Sequence, residues 1–190
     1  GANEYQPYDT STSNSDYSPG GDENNNLTGD YANADWGVYN KISNGGNQAG
    51  QWRTLTNEEW DYMVNTRANA SSKNGIATVN DITGLILLPD NWVLPEGLTF
   101  TSGANGNFAQ NTYTASEWSK LEAKGAVFLP AAGGRNGADV NDVGSDGCYW
   151  SSSADGGSGA YSLEFYSYYV YTYSSGRHYG QSVRLVQDAE

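Results

Sequence analysis

Apolar residues first fall at helical spacing after Thr56. Trp60, Met63 and Val64 stand at i, i+3 and i+4, which puts them on one stripe of a helix running to about Arg67. Thr56-Asn57-Glu58-Glu59 has capping-box spacing, in which the Thr hydroxyl and the Glu three residues on satisfy N–H groups left over at a helix start. The pattern recurs at Thr114-Ala115-Ser116-Glu117, ahead of Trp118 and Leu121. There Lys120 and Lys124 suit the negative end of the helix dipole, and Gly125 supplies the stop. Elsewhere the period shortens. Ile76 to Val79, Gly84 to Leu88, Ala126 to Leu129, Tyr161 to Tyr173 and Ser182 to Val186 read as strands between clusters of Gly, Asn, Asp and Pro. Within Tyr161-Ser162-Leu163-Glu164-Phe165, alternation sends Tyr161, Leu163 and Phe165 to a core face and Ser162 and Glu164 to the opposite one. A turn near Tyr166 to Tyr168 returns the chain through Tyr169-Val170-Tyr171, with Val170 inward and the flanking tyrosines outward. Two short helices and short strands joined by long irregular stretches predict an α+β fold with a loop-rich half.

Charge changes what this domain can meet. The chain of 190 residues carries 22 acids against 9 Lys and Arg, a formal net charge of −13. Binding phosphate backbones requires clustered cations, so no nucleic-acid partner is expected. No apolar run approaches the roughly 20 residues needed to span a bilayer, so no transmembrane segment is expected in this chain. Cys148 is the only cysteine, which excludes an internal disulfide and a multi-cysteine zinc site. Residues 1 to 40 contain Glu4, Asp9, Asp16, Asp22, Glu23, Asp30 and Asp35 but no Lys or Arg. Asp9 to Asp30 is dominated by Ser, Thr, Asn, Asp and Gly, with Leu27 its one aliphatic residue. Too little apolar area is available there to offset ordering entropy. A flexible acidic leader or surface tether is therefore expected over 1–35 and a ligand-binding domain over 36–190. No signal peptide is visible, and a mature secreted chain would have lost one.

The C-terminal quarter uses a different alphabet. All 20 asparagines lie at or before Asn141, where an even distribution would leave roughly seven in the remainder. Tyr149, Tyr161, Tyr166, Tyr168, Tyr169, Tyr171, Tyr173 and Tyr179 make up eight of the 15 tyrosines over that same stretch. Replacing adenines in an Asn codon yields Tyr, Ser, Gly, Asp, His and Thr among others, but never Lys, Gln, Met or Trp. Adenine-directed mutagenesis would leave this trace, and so would an ordinary Tyr-rich antiparallel sheet with Ser and Gly turns. Either way, rigid amphipathic Tyr rings among adaptable Ser and Gly form the alphabet of antibody paratopes, which favours binding over chemistry.

The residues set among these positions carry a resemblance. Cys148-Tyr149-Trp150-Ser151-Ser152-Ser153, then Ala160, Leu163, Phe165 and Val170, then Arg177 and Gly180-Gln181-Ser182-Val183-Arg184-Leu185-Val186 resemble the variable proteins of diversity-generating retroelements. Trp52-Arg53-Thr54-Leu55-Thr56 to Trp60 and Phe128-Leu129-Pro130-Ala131-Ala132-Gly133 are similar to related gut-bacterial lectin-like domains. The resemblance spans roughly Trp36 to Gln187. It implies a C-type lectin-like fold with two short helices and a small twisted antiparallel sheet. It also implies a segment of about 150–180 rewritten by adenine mutagenesis into a ligand-binding face. Carried over, it makes Asp155, Gly156, Ser162, Tyr166, Tyr168, Tyr169, Tyr171, Tyr173, Ser174, Ser175, His178 and Tyr179 candidate diversified, ligand-binding positions. Trp150, Leu163, Phe165, Val170, Val183 and Leu185 are then scaffold. Glu164 stands outside the set, because no change confined to adenines of an Asn codon reaches Glu.

Alphabet and resemblance together imply a non-catalytic, adhesin- or receptor-like binding protein at the cell surface or outside the cell, facing a protein or glycan ligand. A fixed-specificity adhesin or glycan-binding module is the alternative. A more remote one is a lectin-fold enzyme related to formylglycine-generating oxidases, whose cysteine pair Cys148 alone does not supply. No cofactor is expected. The Glu-Pro-Asn or Gln-Pro-Asp loop of calcium-dependent sugar binding is missing, Pro95-Glu96 having the wrong order. Asp139, Asn141, Asp142 and Asp146 offer hard oxygen ligands, but an EF-hand loop starting at Asp139 would have Val143 at its fifth position and Trp150 at its twelfth. The tryptophans at 36, 52, 60, 92, 118 and 150 are expected in the core.

Overall fold

Both capping boxes form, and each marks the start of a helix. The computed structural model describes residues 11–34, apart from 19, 21, 23 and 28, and residues 51–188. Trp36 and the expected boundary between leader and domain lie outside the described residues. The elements in chain order are β1 (Arg53–Thr54), α1 (Asn57–Asp61), β2 (Asn74–Val79), β3 (Ile82–Leu87), β4 (Thr112–Tyr113), α2 (Ala115–Glu122) and β5 (Val127–Pro130). They continue with β6 (Gly134–Asn136), β7 (Asp139–Asn141), β8 (Gly147–Ala154), β9 (Gly159–Tyr166), β10 (Tyr169–Gly176) and β11 (Leu185–Val186). The fold is α+β, with two short helices and several small sheets.

α1 opens on Thr56, whose side chain accepts from the Glu59 N–H while Glu59 Oε2 accepts from the Thr56 N–H at 2.8 Å. The expected single helix to Arg67 is corrected. After Asp61 the chain widens into a π-turn over Tyr62–Thr66, closed by the Arg67 N–H on the Tyr62 carbonyl at 3.0 Å. Trp60 and Val64 still reach the core. The buried Arg67 side chain then donates to the carbonyls of Met63 and Leu88 and ties this turn to the end of β3. α2 repeats the box with Thr114 and Glu117 and ends near Gly125, whose φ of 89° is a conformation that favours glycine. Replacing Thr114 by Ala should cost about 1 kcal/mol in urea denaturation, since the cap also holds a carboxylate at the positive end of the helix.

The expectation of one small antiparallel sheet is also corrected. A four-stranded sheet runs β4-β2-β3-β5, and its β2–β4 pair is parallel. It is covered on both sides, which explains the continuous apolar run at its centre. Ile76, Leu85, Leu87 and Leu129 join one core with Trp60, Tyr149, Leu163 and Phe165. Ala77, Val79, Ile86 and Leu88 join a second with Tyr113 and Leu121. A three-stranded antiparallel sheet, β10-β9-β8, packs on the first core, and two-stranded pairs β1–β11 and β6–β7 complete the set. β1–β11 pairing brings Arg53 beside Val186, where its guanidinium bridges Glu59 and Asp188 at 2.7 Å each. That guanidinium holds the Glu59 carboxyl below the usual carboxylate range.

Trp60 is fully buried, whereas Trp52, Trp92, Trp118 and Trp150 are only half-buried. Val183, expected in the scaffold, is 47% exposed. Ser182 to Val186 is a strand only at Leu185–Val186, although Ser182 makes an isolated bridge to Tyr149.

Candidate functional site

β9 and β10 form the hairpin expected from the sequence, turning at Ser167 and Tyr168. Register assigns each side chain to a face. Val170, Thr172 and Ser174 lie opposite Phe165, Leu163 and Tyr161, while Tyr169, Tyr171, Tyr173 and Ser175 lie opposite Tyr166, Glu164, Ser162 and Ala160. Leu163 and Phe165 seal the first face against the core. On the second face, Tyr169 and Tyr173 are 59% and 56% exposed, and Tyr168 at the turn is 62% exposed. Their rings touch in sequence. Tyr166 meets Tyr169 at 5.2 Å and Tyr171 at 6.3 Å, and Tyr171 meets Tyr173 at 5.9 Å in edge-to-face geometry. Tyr168 leans on Gly106, whose N–H donates to the Ser167 carbonyl at 2.7 Å. A Cβ at Gly106 would come within 2.6 Å of that ring.

Glu164 anchors the inner side of this face. Its Oε1 accepts from Ser175 Oγ at 2.9 Å and Ser162 Oγ at 3.1 Å, and its Oε2 from the Tyr171 hydroxyl at 3.4 Å. Burial, and then the Glu164 charge, push the Tyr171 phenol up to about 12, so it remains a donor at neutral pH. The codon argument that removes Glu164 from the candidate set says nothing about its position. Alternation along β9 does, because it places Glu164 on the same side as Ser162. Tyr171, expected outward, is half-buried and held down by this bond. Ser162 is not brought to the exposed face. It is fully buried, a small residue at the centre of the sheet between cross-strand partners Trp150 and Tyr173.

The other candidates gather at the far end of the hairpin. Ser174 Oγ donates to Asp155 in the β8–β9 loop, and the neighbouring Gly156 is exposed with φ 80°. His178 stacks on Tyr179 at 4.3 Å, and its Nδ1 lies 2.8 Å from Asn14 Oδ1. Thus described residues of the N-terminal segment meet this end of the domain. The Leu27 N–H donates to the Ser152 carbonyl at 2.9 Å, Asn26 Oδ1 accepts from the Ala154 N–H, and Arg177 donates to the Asn25 carbonyl. The contacts of Leu27 and Asn26 occupy β8 where its pairing with β9 breaks between Trp150 and Ala154.

A cleft of about 390 Å³ opens beside the hairpin, lined by Glu164 and its cross-strand partner Cys148, by Tyr173, Ser175 and Tyr179, and by Asp142 and Asp146. Burial pushes the Cys148 thiol up to about 12, with Glu164, Asp146 and Asp142 adding to the effect. A nucleophilic cysteine needs the opposite shift. Iodoacetamide at pH 8 should therefore leave Cys148 unmodified in the folded chain and label it quickly in urea, as intact-mass measurement would show. Among the described residues, no three His, Cys, Asp or Glu side chains converge to hold a metal ion, and no helix is long and apolar enough to cross a membrane.

No curated protein and no solved structure matches the chain. Residues 102–186, which include the whole hairpin and all twelve candidate positions, match the model of a family described as a domain of unknown function, DUF8237.

Proposed function

We propose that this chain is a non-catalytic binding protein of the kind diversified by retroelements, with a C-type lectin-like fold. Its β9–β10 tyrosine face contacts a protein or glycan target outside the cell or at its surface. The observation that supports this reading best is the run of Tyr166, Tyr168, Tyr169, Tyr171 and Tyr173 on one hairpin, three of them more than half exposed. Leaving so many rings in water is unfavourable unless a partner covers them. The scaffold beneath fits a surface that varies. Leu163 and Phe165 point into the core, away from Tyr169 and Tyr173, so they hold the sheet whatever occupies those two positions. Two short helices and small sheets joined by long loops are compatible with the lectin-like fold, and the Cys148-to-Ser153 and Gly180-to-Val186 motifs add to that reading.

Arrays of cell-surface proteins and of glycans, probed with the full chain, test the binding function. Saturable binding to one or a few array members is the expected result. Failure to bind any of them above the level of the unfolded chain would contradict it.

A further inference from the structure

The cleft beside the tyrosine face is lined by three carboxylates, Glu164, Asp142 and Asp146, that take part in no ion pair among the described residues. Glu164 is half-buried, yet its three hydrogen-bond donors are the neutral hydroxyls of Ser162, Ser175 and Tyr171. Among the described residues, no Lys, Arg or His comes within ion-pair distance of Glu164, Asp142 or Asp146; the pairs formed are Arg53 with Glu59 and Asp188, and Asp90 with Arg67 and Lys73. Gln181 lines the same cleft, and its Oε1 is withdrawn from solvent without a hydrogen-bond partner. A buried acceptor left unmet costs stability unless something supplies a donor. Tyr173 and Tyr179 form aromatic walls to the cleft, and a ring face attracts a cation held against it. Arg135 is also on the wall, but among the described residues its guanidinium forms no ion pair with Glu164, Asp142 or Asp146, and it is one cation set against three carboxylates.

We propose that this cleft is a subsite for an organic cation, the guanidinium or ammonium group of an Arg or Lys side chain carried by a protein partner. This rests on the reading of the tyrosine face as a binding surface and narrows its target from protein or glycan to a protein with a basic residue at the contact. A guanidinium suits the site because its five N–H donors spread in a plane. In this assignment the donors meet Glu164, with the rings of Tyr173 and Tyr179 lining the cleft beside the cation. A metal ion suits it less, because no three ligating side chains converge among the described residues. The net charge of −13 also steers basic partners toward the chain at low salt.

The test is a nitrogen-15 NMR titration of the full chain with N-acetyl-arginine methylamide, alongside its uncharged isostere N-acetyl-citrulline methylamide and N-acetyl-glutamate methylamide. Arginine amide is expected to shift the signals of Cys148, Glu164 and Gln181, at least ten-fold more tightly than citrulline amide and more weakly in high salt. Glu164→Gln should weaken that binding about ten-fold. Asp146→Asn, which removes charge without touching the Ser162–Ser175–Tyr171 hydrogen bonds, should weaken it several-fold, so the test survives if Glu164→Gln fails to fold. Equal affinity for arginine and citrulline amides, preference for the glutamate probe, or shifts unmoved by both variants would overturn the subsite. Loss of the cation site while array binding persists would overturn this inference alone. Cation binding without any array target would leave the subsite and remove the wider reading.

Discussion

Replacing Tyr169 and Tyr173 together by Ala is expected to weaken target binding by up to about three orders of magnitude while leaving the unfolding free energy within about 0.5 kcal/mol of the parent. Each ring is more than half exposed, so it supports little of the folded state. Each also presents a rigid apolar area with two χ angles to fix, and such residues cost about 2 kcal/mol when truncated at the centre of an interface. Tyr171 stands between them and touches Tyr173, so the two losses are expected to couple and their sum marks the upper end. Surface-binding titration and urea denaturation on the same preparations separate the effects. Unfolding in the double variant would make the rings structural. Unchanged binding would move the contact elsewhere.

Phe165→Ala should have the opposite signature, costing about 4 kcal/mol of stability. Phe165 is 1% exposed, stacks on Tyr149 at 6.3 Å and fills the space beside Gly147, its cross-strand partner. Gly147 has no room for a side chain, because an added Cβ would meet the Phe165 ring. Gly147→Ala alone should therefore destabilise by overpacking, by about 1–3 kcal/mol. Combining it with Phe165→Leu should recover part of that loss, since the smaller side chain vacates the ring volume. Urea midpoints of the two single variants and the double variant read this coupling directly. Simple additivity would show that the two residues do not share the space.

Local rules made parts of this molecule legible in advance. Four residues specify each capping box, because the two hydrogen bonds close within one turn, and both boxes formed. The β9–β10 turn and the inward place of Leu163 and Phe165 follow from period-two alternation. Long-range pairing was harder to read. β8 begins Gly-Cys-Tyr-Trp-Ser-Ser, where Tyr and Trp favour a strand but no run of alternating aliphatic residues marks one, and the ladder that defines it comes from β9. The parallel β2–β4 pair joins residues more than thirty apart in sequence, and no local pattern encodes it. The turn after Asp61 kept its apolar stripe but changed its winding, since spacing at i, i+3 and i+4 does not distinguish α from π closure. At the candidate site, codon logic and burial diverged at two residues. Ser162 matches the diversified alphabet yet is enclosed at the centre of the sheet, and Glu164 lies outside that alphabet yet organises three neighbouring hydroxyls.

The central claim is that this face was made to vary, and the DNA flanking the gene tests it most directly. Sequencing should find a reverse transcriptase gene and a second copy of the region encoding about 150–180, the two copies differing only where that template carries adenines. Asn codons are expected opposite Tyr166, Tyr168, Tyr169, Tyr171 and Tyr173, with the codons for Leu163, Glu164 and Phe165 unchanged. No second copy, or differences scattered over positions that are not adenine, would contradict it.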